Sequence, residues 1–204
     1  MQRDHTVTGA AALPASRAHQ PTTDEVLVLG IARGDKRAMQ VLFARHNVRI
    51  YRFIMRLVGE GATAEDVVSD VFLDVWRRAG QFEGRSQVST WLLAIARYKA
   101  LSQMRRRTVD HLDEEAAHAV EDSADSPHDV LEQKDRGALL RKALMQLSTI
   151  HREVIDLVYY HEKSIEEVAV ILQVPRTTVR TRIFYARKRL AELLRANGVT
   201  HAFA

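Results

Sequence analysis

The chain contains no cysteine in its 204 residues. Disulfide frameworks, thiolate nucleophiles and Cys-ligated zinc or iron–sulfur centres are thereby excluded, which fits a reducing cytoplasm. No apolar run approaches the roughly 20 residues needed to cross a bilayer. The first 22 residues hold only a five-residue apolar or small stretch, Gly9–Leu13, far short of a signal-peptide core. A soluble, cytoplasmic protein with no membrane insertion is expected. Strand-type alternation is not sustained anywhere, so no α/β catalytic domain is expected. None of the nine histidines forms an HExxH pair, there is no phosphate-cradling GxxxxGK, and no glycine-rich nucleotide fingerprint follows a strand. Ser and His are abundant, but no nucleophile, base and orienting acid assemble in the sequence. The expectation is a protein without metal, cofactor or enzymatic activity. The formal net charge of +4 is too small to indicate a nucleic-acid partner by itself. The placement of the charges says more.

One segment lacks a charge of one sign. Residues 108–133 have no Lys or Arg and nine acids, Asp110, Asp113, Glu114, Glu115, Glu121, Asp122, Asp125, Asp129 and Glu132, the composition of a flexible acidic linker. Residues 1–22, rich in Ala, Thr and Pro without periodicity, read as a disordered leader. Between them, residues 23–107 have helical periodicity interrupted at Gly34, Gly59–Gly61 and Gly80–Ser86, which predicts four helices. A second helical domain is predicted over residues 134–196, with Leu139, Leu140, Leu144 and Leu147 on one helix and Val154, Ile155, Val158 and Tyr159 on the next, before a short tail, 197–204. The fold class is therefore all-α, with two small helical domains on an acidic tether.

The stretch SIEEVAVILQVPRTTVRTRIFYARKRLAELL, Ser164 to Leu194, carries the most information. Ser164 and Glu167 have capping-box spacing, which starts a short helix with Ile165, Val168, Ala169 and Leu172 on its inner side. Pro175, with its fixed φ and missing N–H, suits the first position of a second helix. That helix has Val179, Ile183, Ala186, Leu190 and Leu193 on one stripe. Opposite the stripe lie Thr177, Thr181, Tyr185 and Lys188, flanked by Arg176, Arg180, Arg182, Arg187 and Arg189, and no acid occurs from Pro175 to Leu190. A lone basic helix is often only a solvated face. A short helix at this offset before it makes the pair a helix-turn-helix, whose second helix follows phosphates while its N-terminal side chains meet base edges.

In the first domain, the helix TAEDVVSDVFLDVWRRA buries Val67, Val68, Val71, Phe72, Val75 and Trp76 but leaves Leu73 outside that arc among Asp66, Asp70 and Asp74. Such a leucine is either an accident of surface composition or the centre of a docking face. The next segment, QFEGRSQVSTWLLAIARYKALSQMRRR, opens with a Gly84/Ser86 loop and continues as a helix that buries Val88, Leu92, Ile95 and Ala96, with Trp91 read as core. Its Arg97, Lys99 and terminal Arg105–Arg107 favour the helix dipole in any protein, and could also hold a strand with unstacked bases.

The order of these parts resembles the extracytoplasmic-function (ECF) group of bacterial sigma factors of the sigma-70 family, over roughly residues 24–194. The resemblance implies two domains, sigma2 and sigma4, that bind core RNA polymerase and the −10 and −35 promoter elements in stress-responsive initiation, with a cognate anti-sigma factor as regulator. By its motifs it implies a polymerase contact at Asp66, Ser69, Asp70, Leu73 and Trp76. It implies −10 DNA binding by Phe82, Gly84, Arg85, Ser86, Arg97, Tyr98 and Lys99. The −35 reader would be Arg176, Thr177, Thr178, Arg180, Thr181, Arg182, Tyr185 and Arg187. The chain departs from the family's usual residues at Ser69, Tyr98, Ser102 and Thr177, so its contacts there are its own. Two other readings are a serine recombinase with a C-terminal helix-turn-helix, which would need an α/β catalytic domain, and a dimeric helix-turn-helix regulator acting without polymerase.

Overall fold

In the computed structural model, which describes residues 22–110 and 131–197, every regular element is helical. The expected leader apart from residue 22, residues 111–130 of the expected linker and the tail beyond residue 197 lie outside the described residues.

The first four helices are α1 (Asp24–Ala32), α2 (Lys36–Val58), α3 (Gly61–Arg78) and α4 (Val88–Asp110). Their limits follow from local chemistry. Asp35 caps α2 by accepting from the N–H groups of Arg37 (2.8 Å) and Ala38 (3.2 Å). Gly59, at φ 77°, ends it in the left-handed region that a side chain disfavours, with its N–H donating to the Met55 carbonyl at 2.9 Å. Asp24 at the start of α1 accepts from Arg45 (2.8 Å) and meets His46 Nε2 (2.6 Å), tying α1 to the middle of α2. Val28 and Ile31 of α1, Leu42, Phe53 and Ile54 of α2, Val71 and Val75 of α3 and Leu92 of α4 share one core.

Two details differ from the expected pattern. On α4, Leu93 is buried and Ile95 only half-buried, because that helix is covered on two sides. On α3, Asp74 does not stand in the exposed acidic ring around Leu73. It is buried and paired with Lys99 Nζ of α4 at 3.4 Å and Arg78 Nε at 3.8 Å, so it pins two helices together.

The remaining helices are α5 (Leu131–Met145), α6 (Thr149–Ile155), α7 (Ile165–Leu172) and α8 (Arg176–Ala196). A single π turn, Asp156–Tyr160, extends α6. Its wider winding shifts the side-chain register, so Asp156 and Leu157 turn inward while Tyr159, expected on the apolar side, is exposed. Leu157, Val168, Ile171, Val179, Ala186 and Leu190 form the core of this second unit. The capping box is formed as expected: Glu167 N–H donates to Ser164 Oγ at 3.2 Å, and Ser164 N–H to Glu167 Oε2 at 3.0 Å. Gln173, at φ 54°, makes the turn, and Pro175 occupies the cap of α8 rather than its first helical residue. Ser164→Ala removes one half of the box and should cost about 1 kcal/mol, read as a lower urea midpoint at unchanged slope. An unchanged midpoint would mean the cap adds nothing to this turn.

Candidate nucleic-acid interface

The core stripe of α8 packs against α6 and α7, which leaves the opposite face of α8 open from its first turn. Arg176, Thr177, Arg180, Thr181, Tyr185 and Arg187 are exposed, with Thr178 and Arg182 half-buried beside the α7 contact. Arg176 lies 3.4 Å from Glu166 Oε1 in the first turn of α7, so the short helix also steadies the side chain at the start of the basic one. The backbone N–H of Glu166 and the Arg176 guanidinium hold this carboxyl below the usual carboxylate range. Thr181 Oγ1 donates to the Thr177 carbonyl at 3.0 Å, which turns the Thr181 methyl, not its proton, outward. Sequence reasoning missed Phe184. It is exposed, meets Tyr185 edge to face at 5.4 Å, and with Ile165, Ile183 and Lys188 lines a shallow groove beside the basic face.

On α3, Asp66, Ser69, Asp70 and Leu73 form one exposed patch, with Trp76 half-buried at its end. Ser69 Oγ donates back to the Glu65 carbonyl at 3.1 Å. In the loop before α4, Phe82 stacks on Trp91 with centroids 5.0 Å apart, and Gly84 (φ 68°) makes the bend that brings Arg85 beside Glu83. Trp91 is thus half-buried under Phe82 rather than fully in the core. The three consecutive residues Arg97, Tyr98 and Lys99 do not share a face. Tyr98 points to solvent, Lys99 is held by Asp74, and Arg97 Nε donates to Glu153 Oε1 of α6 at 2.6 Å.

That last bond belongs to a set of contacts between the two domains that the sequence did not reveal. Arg56 at the end of α2 pairs with Asp156 and lies over the Tyr160 ring at 4.4 Å. Lys163, buried just before α7, reaches Gln87 Oε1 (3.2 Å), Ser89 Oγ (2.7 Å) and Glu167 Oε1 (3.0 Å). Burial would raise the Glu167 carboxyl, but bonds from Thr90 Oγ1 at 2.5 Å, the Ser164 N–H and Lys163 outweigh it and bring it down to about 2. These partners are 56 to 100 residues apart, and no local pattern marks them.

Residues 42–109 match the Sigma-70 region 2 family and residues 143–192 match Sigma-70 region 4, so the patch on α3, the loop and α4 fall in one and the helix-turn-helix in the other. The RNA polymerase sigma-H factor of Pseudomonas aeruginosa is 32% identical over 181 residues, 84% of this chain and 93% of that protein. The ECF RNA polymerase sigma factor SigL of Mycobacterium tuberculosis is 30% identical over 174 residues, 85% of this chain and 98% of its own length. The chain belongs to the ECF sigma factors. A similar solved structure is that of the sigma factor RpoE of Bartonella quintana in complex with the anti-sigma factor NepR, at 28% identity and a TM-score of 0.65, covering 78% of this chain and 97% of that one. This ECF sigma factor is accordingly a promoter-recognition subunit that binds core RNA polymerase and promoter DNA, and such subunits are regulatory rather than enzymatic. Among the described residues, no helix is long and apolar enough to cross a membrane.

Proposed function

We propose that this ECF sigma factor is recruited to core polymerase through Asp66, Ser69, Asp70, Leu73 and Trp76, and that α8 then docks in the major groove of the −35 duplex. The loop Phe82–Ser86 and the exposed side of α4 hold an extruded −10 base of the non-template strand. The two readers lie on 23–107 and 134–196, and residues 108–133 are the tether that lets polymerase spread them to the promoter spacing. Residues 1–22 and 197–204 serve as leader and tail. The protein acts in the cytoplasm, carries no catalytic centre of its own, and drives stress-responsive transcription under the control of a cognate anti-sigma factor, in keeping with the anti-sigma complex of its structural relative.

The observation that carries this reading is the acid-free face of α8, exposed from its first turn and steadied by α7, in a chain that also contains a region 2 domain. Selective initiation on a mixed genomic promoter library, with the purified chain added to bacterial core polymerase and core alone as control, tests it. Discrete new start sites preceded by shared −35 and −10 elements are expected. Specific DNA binding by the chain alone, with no polymerase binding and no new starts, would sink it.

Within α8 the roles divide by position. Arg176 and Thr177 at the helix start face bases, and Arg180 and Arg187 face phosphates. Arg176→Ala should therefore cost about 1–3 kcal/mol at one promoter position and change which promoters are used. Arg187→Ala should weaken all of them alike and lower the salt slope by about 1. Equal losses across the library for both variants would refute the division.

A further inference from the structure

We infer that the free chain masks its own strand-binding helix: carboxylates of region 4 occupy Arg97 and its neighbours where nucleic-acid phosphate would otherwise sit. The inference rests on the proposed −10 role of Arg97.

Glu153 and Asp156 lie three residues apart, on one side of α6 and its π turn, and their side chains are only 5% and 4% exposed. Both point at cations of the other domain. Glu153 meets the Arg97 guanidinium through two nitrogens, Nε to Oε1 at 2.6 Å and Nη2 to Oε2 at 3.5 Å, the fork-to-fork arrangement that arginine uses equally with carboxylate and phosphate. Asp156 meets Arg56 with one oxygen, while its Oδ2 stands 3.5 Å from the ring nitrogen of His161. On the neighbouring edge Lys163 and Glu167 hold Gln87, Ser89 and Thr90, the residues that lead from the loop into α4. Region 4 thus covers the stretch that would receive a single strand.

The chemistry of this seam explains how it could open. Apart from Phe53 set edge to face against His161 (5.4 Å), its specific contacts are charged or polar. Buried ion pairs add little net stability because desolvation offsets their attraction. An arginine that exchanges a carboxylate for a phosphate keeps a charge-assisted pair throughout, so displacement by DNA meets no large loss. An apolar interface would offer no such exchange.

The absence of cysteine makes the test direct. Gln40→Cys on α2 and Ala196→Cys at the end of α8, both exposed, accept a donor and an acceptor dye on the full-length chain. Neutral isosteres at the seam, Glu153→Gln with Asp156→Asn, should lower energy transfer between the dyes. They should also tighten binding of a mixed-sequence single-stranded DNA oligonucleotide by roughly tenfold, the worth of one charge-assisted hydrogen bond. Arg56→Ala, made on the other side of the seam, should open the chain too and decides the matter if the carboxylate variants lose their helical circular dichroism. Unchanged transfer in a folded variant overturns the inference. So does lower transfer without tighter binding, and Arg97→Ala in the opened chain then locates the failure. If it still weakens DNA binding, the −10 role stands and only the masking is wrong. If it has no effect, the −10 role of Arg97 has failed with it.

Discussion

Phe53→Ala is expected to lower the melting temperature by on the order of 20 °C, the effect of about 3–5 kcal/mol on a small helical domain. Phe53 is 0% exposed and lies on α2, the helix that packs on α1, α3 and α4 alike, so the space its ring leaves cannot be filled by one helix shifting. A domain with only about 5–15 kcal/mol of stability has little left after such a loss. Phe53 also reaches His161 across the domain seam, and edge-to-face aromatic pairs add about 0.5–1.5 kcal/mol beyond area burial. A double-mutant cycle of Phe53→Ala with His161→Ala should therefore show coupling in that range. Phe184→Ala, at a ring 63% exposed on α8, is the control and should stay within about 0.5 kcal/mol of the parent. Calorimetry that found Phe53→Ala as mild as Phe184→Ala would contradict the position of α2 at the centre of the core.

What the sequence made legible and what it hid divide along physical lines. Breaks at Gly34 and Gly59 mark helix ends because the observed left-handed backbone there favours glycine, and the Ser164/Glu167 box marks a helix start because its donors and acceptors are three residues apart. Such signals are local, and the eight helices follow from them. Asp74 shows where they stop. By helical wheel it sits beside Leu73 and Asp70, yet it is buried, because Lys99 on another helix provides the opposite charge. Tyr159 was placed on the wrong side because a π turn leaves no mark in a 3.6-residue pattern. Arg97 is the clearest case: its place on α4 was evident, but its partner Glu153 is 56 residues away and could be found only in the folded chain. The exposed sites, by contrast, needed no long-range information. Leu73 and the basic face of α8 stand out as residues the core does not use.

Leu73→Asp is expected to lower affinity for core polymerase by roughly thirty-fold, the loss of about 2 kcal/mol typical of a central apolar anchor in an interface. The side chain is 45% exposed, so the protein itself makes little use of it, and folding should be nearly unaffected. Its surroundings decide the sign. Asp66, Ser69 and Asp70 are exposed on the same face of α3, so the patch offers a leucine edged with carboxylates, suited to a partner surface with an apolar groove and a basic rim. A third carboxylate at position 73 removes the apolar anchor and places an unpaired charge where water would be excluded. Leu73→Met, which retains volume and apolarity, should remain within a few-fold of the parent. Asp70→Asn should act mainly on association rate and salt dependence, as rim charges do. Competition against dye-labelled parent for core polymerase measures all three, with thermal midpoints recorded alongside. Binding by a folded Leu73→Asp variant within twofold of the parent would show that polymerase does not use this face, and the exposed leucine would then be an ordinary feature of surface composition.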